Sequence, residues 1–255
     1  MHPILLKIGP LTLHTYGFFV ALGFLLALTW THREGLRRGL NPEIFHDLFF
    51  YIVISALVGA RLFYVALNLS FFRNDPVAAL RLWEGGLVFY GGFLTAVPVF
   101  IWRIRRWRKP VLEILDVAAP GLVLAQAVGR LGCLSAGCCY GKACANGLAI
   151  TFSDPISHAP LNQPLHPTQI YHAIANISIF AILFFLSRRN IRRGTLVVVY
   201  MLFYGLLRFT VEFWRGDPRG FLYSFSTSQW ISLGLIISAF LLWFIKIRHE
   251  PYTEY

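Results

Sequence analysis

Apolar runs long enough to cross about 30 Å of hydrocarbon as helices begin near His14, Phe45, Leu87, Ile114, Thr168, Thr195 and Ser228. This pattern predicts an all-α integral membrane protein with seven transmembrane helices, since a helix satisfies every backbone polar group of a lipid-exposed segment from within. Composition agrees: 56% of the 255 residues are hydrophobic and 14% are charged, too apolar for a soluble domain of this length. The first run, His14 to Thr31, has neither a basic region before it nor a small-residue cleavage site after it, so it reads as a retained span rather than a signal peptide. With no tandem repeat and no soluble linker, residues 1–255 read as one transmembrane domain.

Fourteen Lys and Arg residues gather at 33–38, 103–109, 188–193 and 246–248, in alternate connecting segments. The opposite segments hold six: Lys7, Arg73, Arg81, Lys142, Arg215 and Arg219. The positive-inside rule then places the N-terminus outside and the C-terminus in the cytoplasm. The net charge of +11 thus follows membrane topology rather than a basic patch on a soluble fold, and no nucleic-acid partner is expected. The longest outside segment, 137–167, contains "GLAITF", which predicts a short strand, and Pro155, Pro160, Pro164 and Pro167, which predict turns. A small external cap is expected there.

Arg61, Arg130, Arg208 and Glu212 fall within or at the ends of spans, where facing lipid costs roughly 2.5–3.5 kcal/mol each on insertion scales. They should face a cavity or one another. Tyr204, Arg208, Glu212 and Arg215 follow at intervals of four, four and three, which stacks them on one helical face. One reading is a structural Arg208–Glu212 pair that locks helices together; the other is a cationic site, because two arginines against one glutamate leave positive charge unbalanced. Arg130 and this stripe fall in the same outer half of the membrane. Two guanidinium groups there, with Gly129, Gly132, Gly137 and Gly141 allowing close approach of backbone, suit the phosphate of a phospholipid headgroup.

All four cysteines, Cys133, Cys138, Cys139 and Cys144, lie just beyond Arg130. Their spacing lacks a C-x-x-C pair, so neither a zinc site nor a thioredoxin-like pair is predicted. Cys133 is expected to pack as a small apolar residue, and an oxidising outer face leaves room for one disulfide among the other three.

At several places, in order along nearly the whole chain, the residues resemble the bacterial prolipoprotein diacylglyceryl transferases. Tyr16 and Gly17 in "LHTYGF", Arg61 in "GARLFY", and Trp83 to Gly92 in "WEGGLVFYGG" are similar to motifs of its first half. "GRLG" with Gly141 after it, "HPTQIY" and "YGLLRFTVEFWRG" resemble those of its second half. The resemblance implies transfer of a diacylglyceryl group from phosphatidylglycerol to the cysteine thiol of a lipobox in a prolipoprotein signal peptide, forming a thioether and releasing glycerol phosphate. It also implies a multi-pass protein of the bacterial cytoplasmic (inner) membrane, with its active site toward the outer leaflet and no soluble cofactor or metal required.

On this reading Arg130 and Arg208 stabilise charge developing on the departing phosphate, and Tyr90 stands where the family commonly has histidine. Tyr16, Arg61, Gly91, Gly92, Gly132, Gly141, His166, Tyr204, Glu212 and Arg215 are the expected substrate-binding residues. The family's usual Asn and Glu correspond to Cys133 and Cys138, and a frequent Glu to His172. The activator of the thiol is therefore open, with His166 a candidate besides Tyr90. Two other readings stand beside this one: a relative that alkylates a different acceptor, and a membrane protein that binds or translocates phospholipid without chemistry.

Overall fold

The computed structural model describes residues 2–9, 11–81, 85–144, 147–218 and 220–250. Trp83 and Arg219, singled out above, lie outside them. The chain packs as two units, residues 1–34 with 112–255, and residues 35–111.

The larger unit opens with an antiparallel hairpin, β1 (Ile4–Ile8) and β2 (Leu11–His14). It leads directly into α1 (Thr15–Arg37). Four more long helices follow in this unit: α5 (Val111–Ala136), α6 (Thr168–Ser187), α7 (Thr195–Val211) and α8 (Thr227–Ile245). Of the helices long and apolar enough to cross a membrane, α5 is the central one, with 56% of its most apolar window buried against 17–33% for the others. Ala119 and Val123 of α5 pack with Ile179 and Leu183 of α6 and Leu196 of α7, while Leu112 joins Val197, Val198 and Ala239 across α7 and α8. Lipid tails offer helices no hydrophobic incentive to associate, so close packing has to hold them. Gly121 supplies it against α1: a Cβ there would lie 2.9 Å from the Ala27 carbonyl oxygen.

Asp116, buried at 1% exposure, accepts hydrogen bonds from the backbone N–H groups of Gly194 (2.6 Å) and Val197 (2.9 Å). It satisfies donors that the first turn of α7 cannot pair internally. At the other end of α7, Val211 gives way to a 3-10 turn, Glu212–Trp214. The chain returns through β5 (Phe221–Leu222) and β6 (Phe225–Ser226) to a Ser226/Gln229 capping box that starts α8.

The smaller unit holds α2 (Glu43–Leu67), α3 (Leu69–Asn74) and α4 (Phe89–Trp107). Here α2 and α4 pack closely through Gly59, Gly91 and Gly92. Arg103 of α4 binds the Asp47 carboxylate of α2 with two nitrogens and lies over the Tyr51 ring, 4.3 Å from its centroid.

Helices thus begin within three residues of all seven predicted positions. Among the described residues, however, six are long and apolar enough to cross a membrane. The helix that falls short is α4, whose last turns carry Arg103, Arg105 and Arg106 and whose interior holds Pro98. In the predicted cap, β3 (Ile150–Thr151), within "GLAITF", pairs with β4 (Pro164–Leu165). Phe152 packs with Ala159 and Leu165 into a small core of its own.

Candidate active site

The site is built where the end of α5, the start of α6 and the end of α7 meet. Gly141 lets them meet: its N–H donates to the His166 carbonyl (3.1 Å), and Lys142 N–H donates to that of Trp214 (2.8 Å). A Cβ at Gly141 would lie 2.5 Å from the His166 carbonyl oxygen and 2.9 Å from that of Trp214. No side chain fits between those backbones. The same junction places Arg215, bridged to Gly141, beside the cysteine loop.

That loop is a Schellman turn. Gly137 sits in the left-handed region (φ 72°), its N–H donates to Leu134, and the N–H of Cys138 donates to Cys133 (3.1 Å). This six-to-one closure brings the side chains at its two ends together, and here both ends are cysteines. Cys139, also left-handed (φ 60°), turns a third thiol toward them. The three sulfur atoms lie within 4.8 Å of one another, so Cys133 shares a thiol cluster instead of packing as an isolated apolar residue. All four cysteines are free thiols. From α6, Thr168 Oγ1 donates to the Cys139 carbonyl (2.7 Å) and Gln169 Nε2 to that of Cys138 (2.8 Å). Hydrogen bonds from Cys133 and Cys138 hold the Cys139 thiol below its ordinary pKa, reinforced by the Arg215 and Arg130 guanidiniums.

The predicted stripe is realised in part: Tyr204 and Arg208 lie on α7, while Glu212 opens the 3-10 turn and Arg215 follows it in extended chain. Arg208 Nη2 lies 3.5 Å from Glu212 Oε2 and donates to Ser228 Oγ at 2.9 Å. Arg215 clasps Asp217 with two bonds, of 2.8 and 2.9 Å, and lies 4.0 Å from Glu212. Glu212 Oε1 accepts from Ser226 Oγ. Tyr204 stacks on Tyr200, which Gln126 engages at 2.9 Å.

His172 was a point of departure rather than a predicted site residue, yet the site closes around it. Fully buried, its Nε2 lies 3.3 Å from Arg208 Nη1, and Arg130, Arg208 and Arg215 all act on it electrostatically. A guanidinium can only donate, so Nε2 is the acceptor in this contact. Its sequence signal is a polar face in an otherwise apolar helix: Gln169, His172 and Asn176 follow at helical spacing and are all buried. His166, the other candidate base, has Nδ1 3.2 Å from the Tyr171 hydroxyl.

Arg130 differs from its neighbours. It interacts electrostatically with Tyr16, Cys133, Cys139 and His172, but among the described residues no hydrogen bond or ion pair engages its guanidinium. Tyr16 is exposed beside it, and Gly132 packs against the Tyr16 backbone, 3.2 Å from its carbonyl oxygen to an added Cβ.

Tyr16, Arg130, Gly132, Gly141, His166, Tyr204, Arg208, Glu212 and Arg215 therefore share the larger unit, whereas Arg61, Tyr90, Gly91 and Gly92 belong to the smaller one. There, Tyr90 is exposed in the first turn of α4. Gly91 and Gly92 face α2, where a Cβ would lie 2.6 Å from the Gly59 and 2.8 Å from the Ala56 carbonyl oxygens. Arg61 donates to the carbonyls of Ala78, Ala79, Arg81, Gly85 and Gly86 at 2.5–3.1 Å.

Residues 3–245 match the family profile described as prolipoprotein diacylglyceryl transferase. The chain is 35% identical over 248 residues to phosphatidylglycerol–prolipoprotein diacylglyceryl transferase 2 of Clostridium perfringens, covering 96% of both chains. It is 35% identical over 239 residues to the phosphatidylglycerol–prolipoprotein diacylglyceryl transferase of Clostridium tetani, covering 93% of this chain and 94% of that one. The Bacillus velezensis enzyme is 30% identical over 258 residues, with 100% and 95% covered.

Proposed function

The chain belongs to the prolipoprotein diacylglyceryl transferase family, and from that premise we propose that it moves the diacylglyceryl group of phosphatidylglycerol onto the lipobox cysteine thiol of prolipoprotein signal peptides. A carbon–sulfur bond forms as the carbon–oxygen bond to phosphate breaks, and glycerol phosphate leaves. Arg130 carries this reading: a half-buried guanidinium with no counter-charge paired to it among the described residues is an anion site in waiting, because a cation in an apolar setting is costly until paired. Arg208, anchored by Ser228 and Glu212, supplies the second set of donors. As negative charge grows on the departing phosphate, donors already fixed in place stabilise it without reorganising. Tyr16 and Tyr204 bind along the headgroup, and Tyr90 orients the lipid from α4.

The protein is placed in the bacterial inner membrane with seven spans, α4 being the seventh, the N-terminus outside and the site toward the outer leaflet beneath a cap at 137–167. The basic clusters at 33–38, 103–109, 188–193 and 246–248 support that orientation. The test is release of glycerol phosphate from phosphatidylglycerol with and without a lipobox peptide. Release that requires the peptide is expected. Binding of the lipid without release would favour a translocating protein, and release with a different thiol acceptor would favour a relative of altered specificity.

A further inference from the structure

The sulfur atoms of Cys133, Cys138 and Cys139 form the one cluster of three or more metal-ligating side chains among the described residues. We propose that this trio binds one thiophilic divalent cation, zinc above others, and leaves its fourth position open to the thiol of the acceptor peptide. The proposal rests on the transferase reading and supplies what that reading lacks, an activator of the thiol.

Geometry comes first. With zinc–sulfur bonds of about 2.3 Å, tetrahedral ligands stand about 3.8 Å apart. The three sulfurs already lie within 4.8 Å of one another, so closing on an ion asks for side-chain rotation and no movement of backbone. The backbone is held on both sides, by the Schellman closure between Cys138 and Cys133 and by Thr168 and Gln169 on the carbonyls that follow. Three protein ligands with a vacant fourth place is the arrangement of catalytic rather than structural zinc.

Charge agrees. A divalent cation beside Arg130 and Arg215 would be repelled if its ligands were neutral, but three thiolates and one such ion sum to a single negative charge. Arg215 and Arg130 both act electrostatically on Cys139, and Arg130 on Cys133 as well. Binding of a fourth thiolate adds one more negative charge beside the same guanidiniums. Oxygen-preferring ions gain nothing from sulfur ligands, which selects the soft end of the series.

In the step itself, the acceptor thiol loses its proton to solvent as its sulfur joins the ion. A sulfur lone pair then forms the bond to the glyceryl carbon. The carbon–oxygen bond breaks, its electron pair leaving on the phosphate oxygen of glycerol phosphate, and the thioether, a poorer ligand than a thiolate, leaves the ion. Nothing is oxidised or reduced, and no general base is needed because the ion holds the nucleophile as thiolate at neutral pH.

Metal analysis of the purified full-length protein should find about one zinc per chain. It should persist in Cys144→Ser and be lost when Cys133, Cys138 and Cys139 are all replaced by serine. Loading the unmutated protein with cobalt(II) avoids dependence on those variants: a thiolate-to-cobalt charge-transfer band is expected, changing when a lipobox peptide is added but not when its cysteine is replaced by serine. Chelation should cut peptide-dependent glycerol phosphate release by at least about tenfold, with zinc restoring it. Undiminished transfer by metal-free protein, or cobalt bound without a thiolate band, would overturn the metal site and leave the transferase reading standing. A thiolate band in a protein that releases no glycerol phosphate with any lipobox peptide would support the site and sink the transferase reading.

Discussion

Arg61 in α2 and Arg130 in α5 are both arginines set in apolar helices, and their surroundings are opposite. Five backbone carbonyls of the segment between α3 and α4 accept from Arg61, and the rings of Tyr64 and Phe72 flank it at 5.6 Å. Arg130 has tyrosine, thiols and an imidazole within electrostatic range but no hydrogen-bond or ion-pair partner among the described residues. A charge in a membrane helix is a functional candidate by default, but the fate of its donors separates the cases. Arg61 has spent its donors on holding a loop, leaving few for a phosphate. Arg130 keeps them. Arg208 lies between, oriented by Ser228, His172 and Glu212.

The sharpest way to break this contrast is Arg130→Ala. It should lower transfer by about 100- to 1000-fold, the usual cost of removing one preorganised donor, while thermal unfolding of the purified protein stays close to wild type. A large fall in unfolding temperature with little loss of transfer would make Arg130 structural after all. Arg61→Ala should do the reverse. Leaving its carbonyls without a donor should cost on the order of 3 kcal/mol of stability, read by thermal unfolding and by proteolysis in the 75–88 segment, with Arg61→Lys recovering little because an ammonium cannot span so many acceptors.

Arg208→Lys should retain the charge and lose the planar fork, lowering transfer about tenfold; near-full activity would remove the bidentate element of the mechanism. The smallest effect is expected at Tyr90. Exposed on α4, it is assigned an orienting role, so Tyr90→Phe should cost less than about fivefold, within the range of one neutral hydrogen bond. A Tyr90→Phe protein that binds phosphatidylglycerol normally yet barely turns over would return the role of base to the smaller unit.

Much of the α7 stripe was legible beforehand. Intervals of four, four and three place Tyr204, Arg208, Glu212 and Arg215 on one face of any helix, and Arg208 and Arg215 do reach Glu212. The mismatch between seven predicted spans and the six sufficiently apolar helices among the described residues has a local cause, since the basic cluster at 103–109 overlaps the end of α4. The carbonyls around Arg61 were not legible: an arginine's spacing says which face it occupies and nothing about which carbonyls a later loop will bring to it.

The sequence by itself determined the helices, their starts and the alternation of basic clusters, because apolar length and helical period act within a segment and require no partner. It determined that Arg61, Arg130, Arg208 and Glu212 are too costly to face lipid. The tertiary structure decided which cations are satisfied, that His172 rather than His166 lies among the arginines, and that three thiols converge without a C-x-x-C pair. Each of these depends on segments distant in the chain meeting at Gly141, or on a turn whose handedness joins residues five apart, and the energy of a buried polar group is fixed by the partner it finds there.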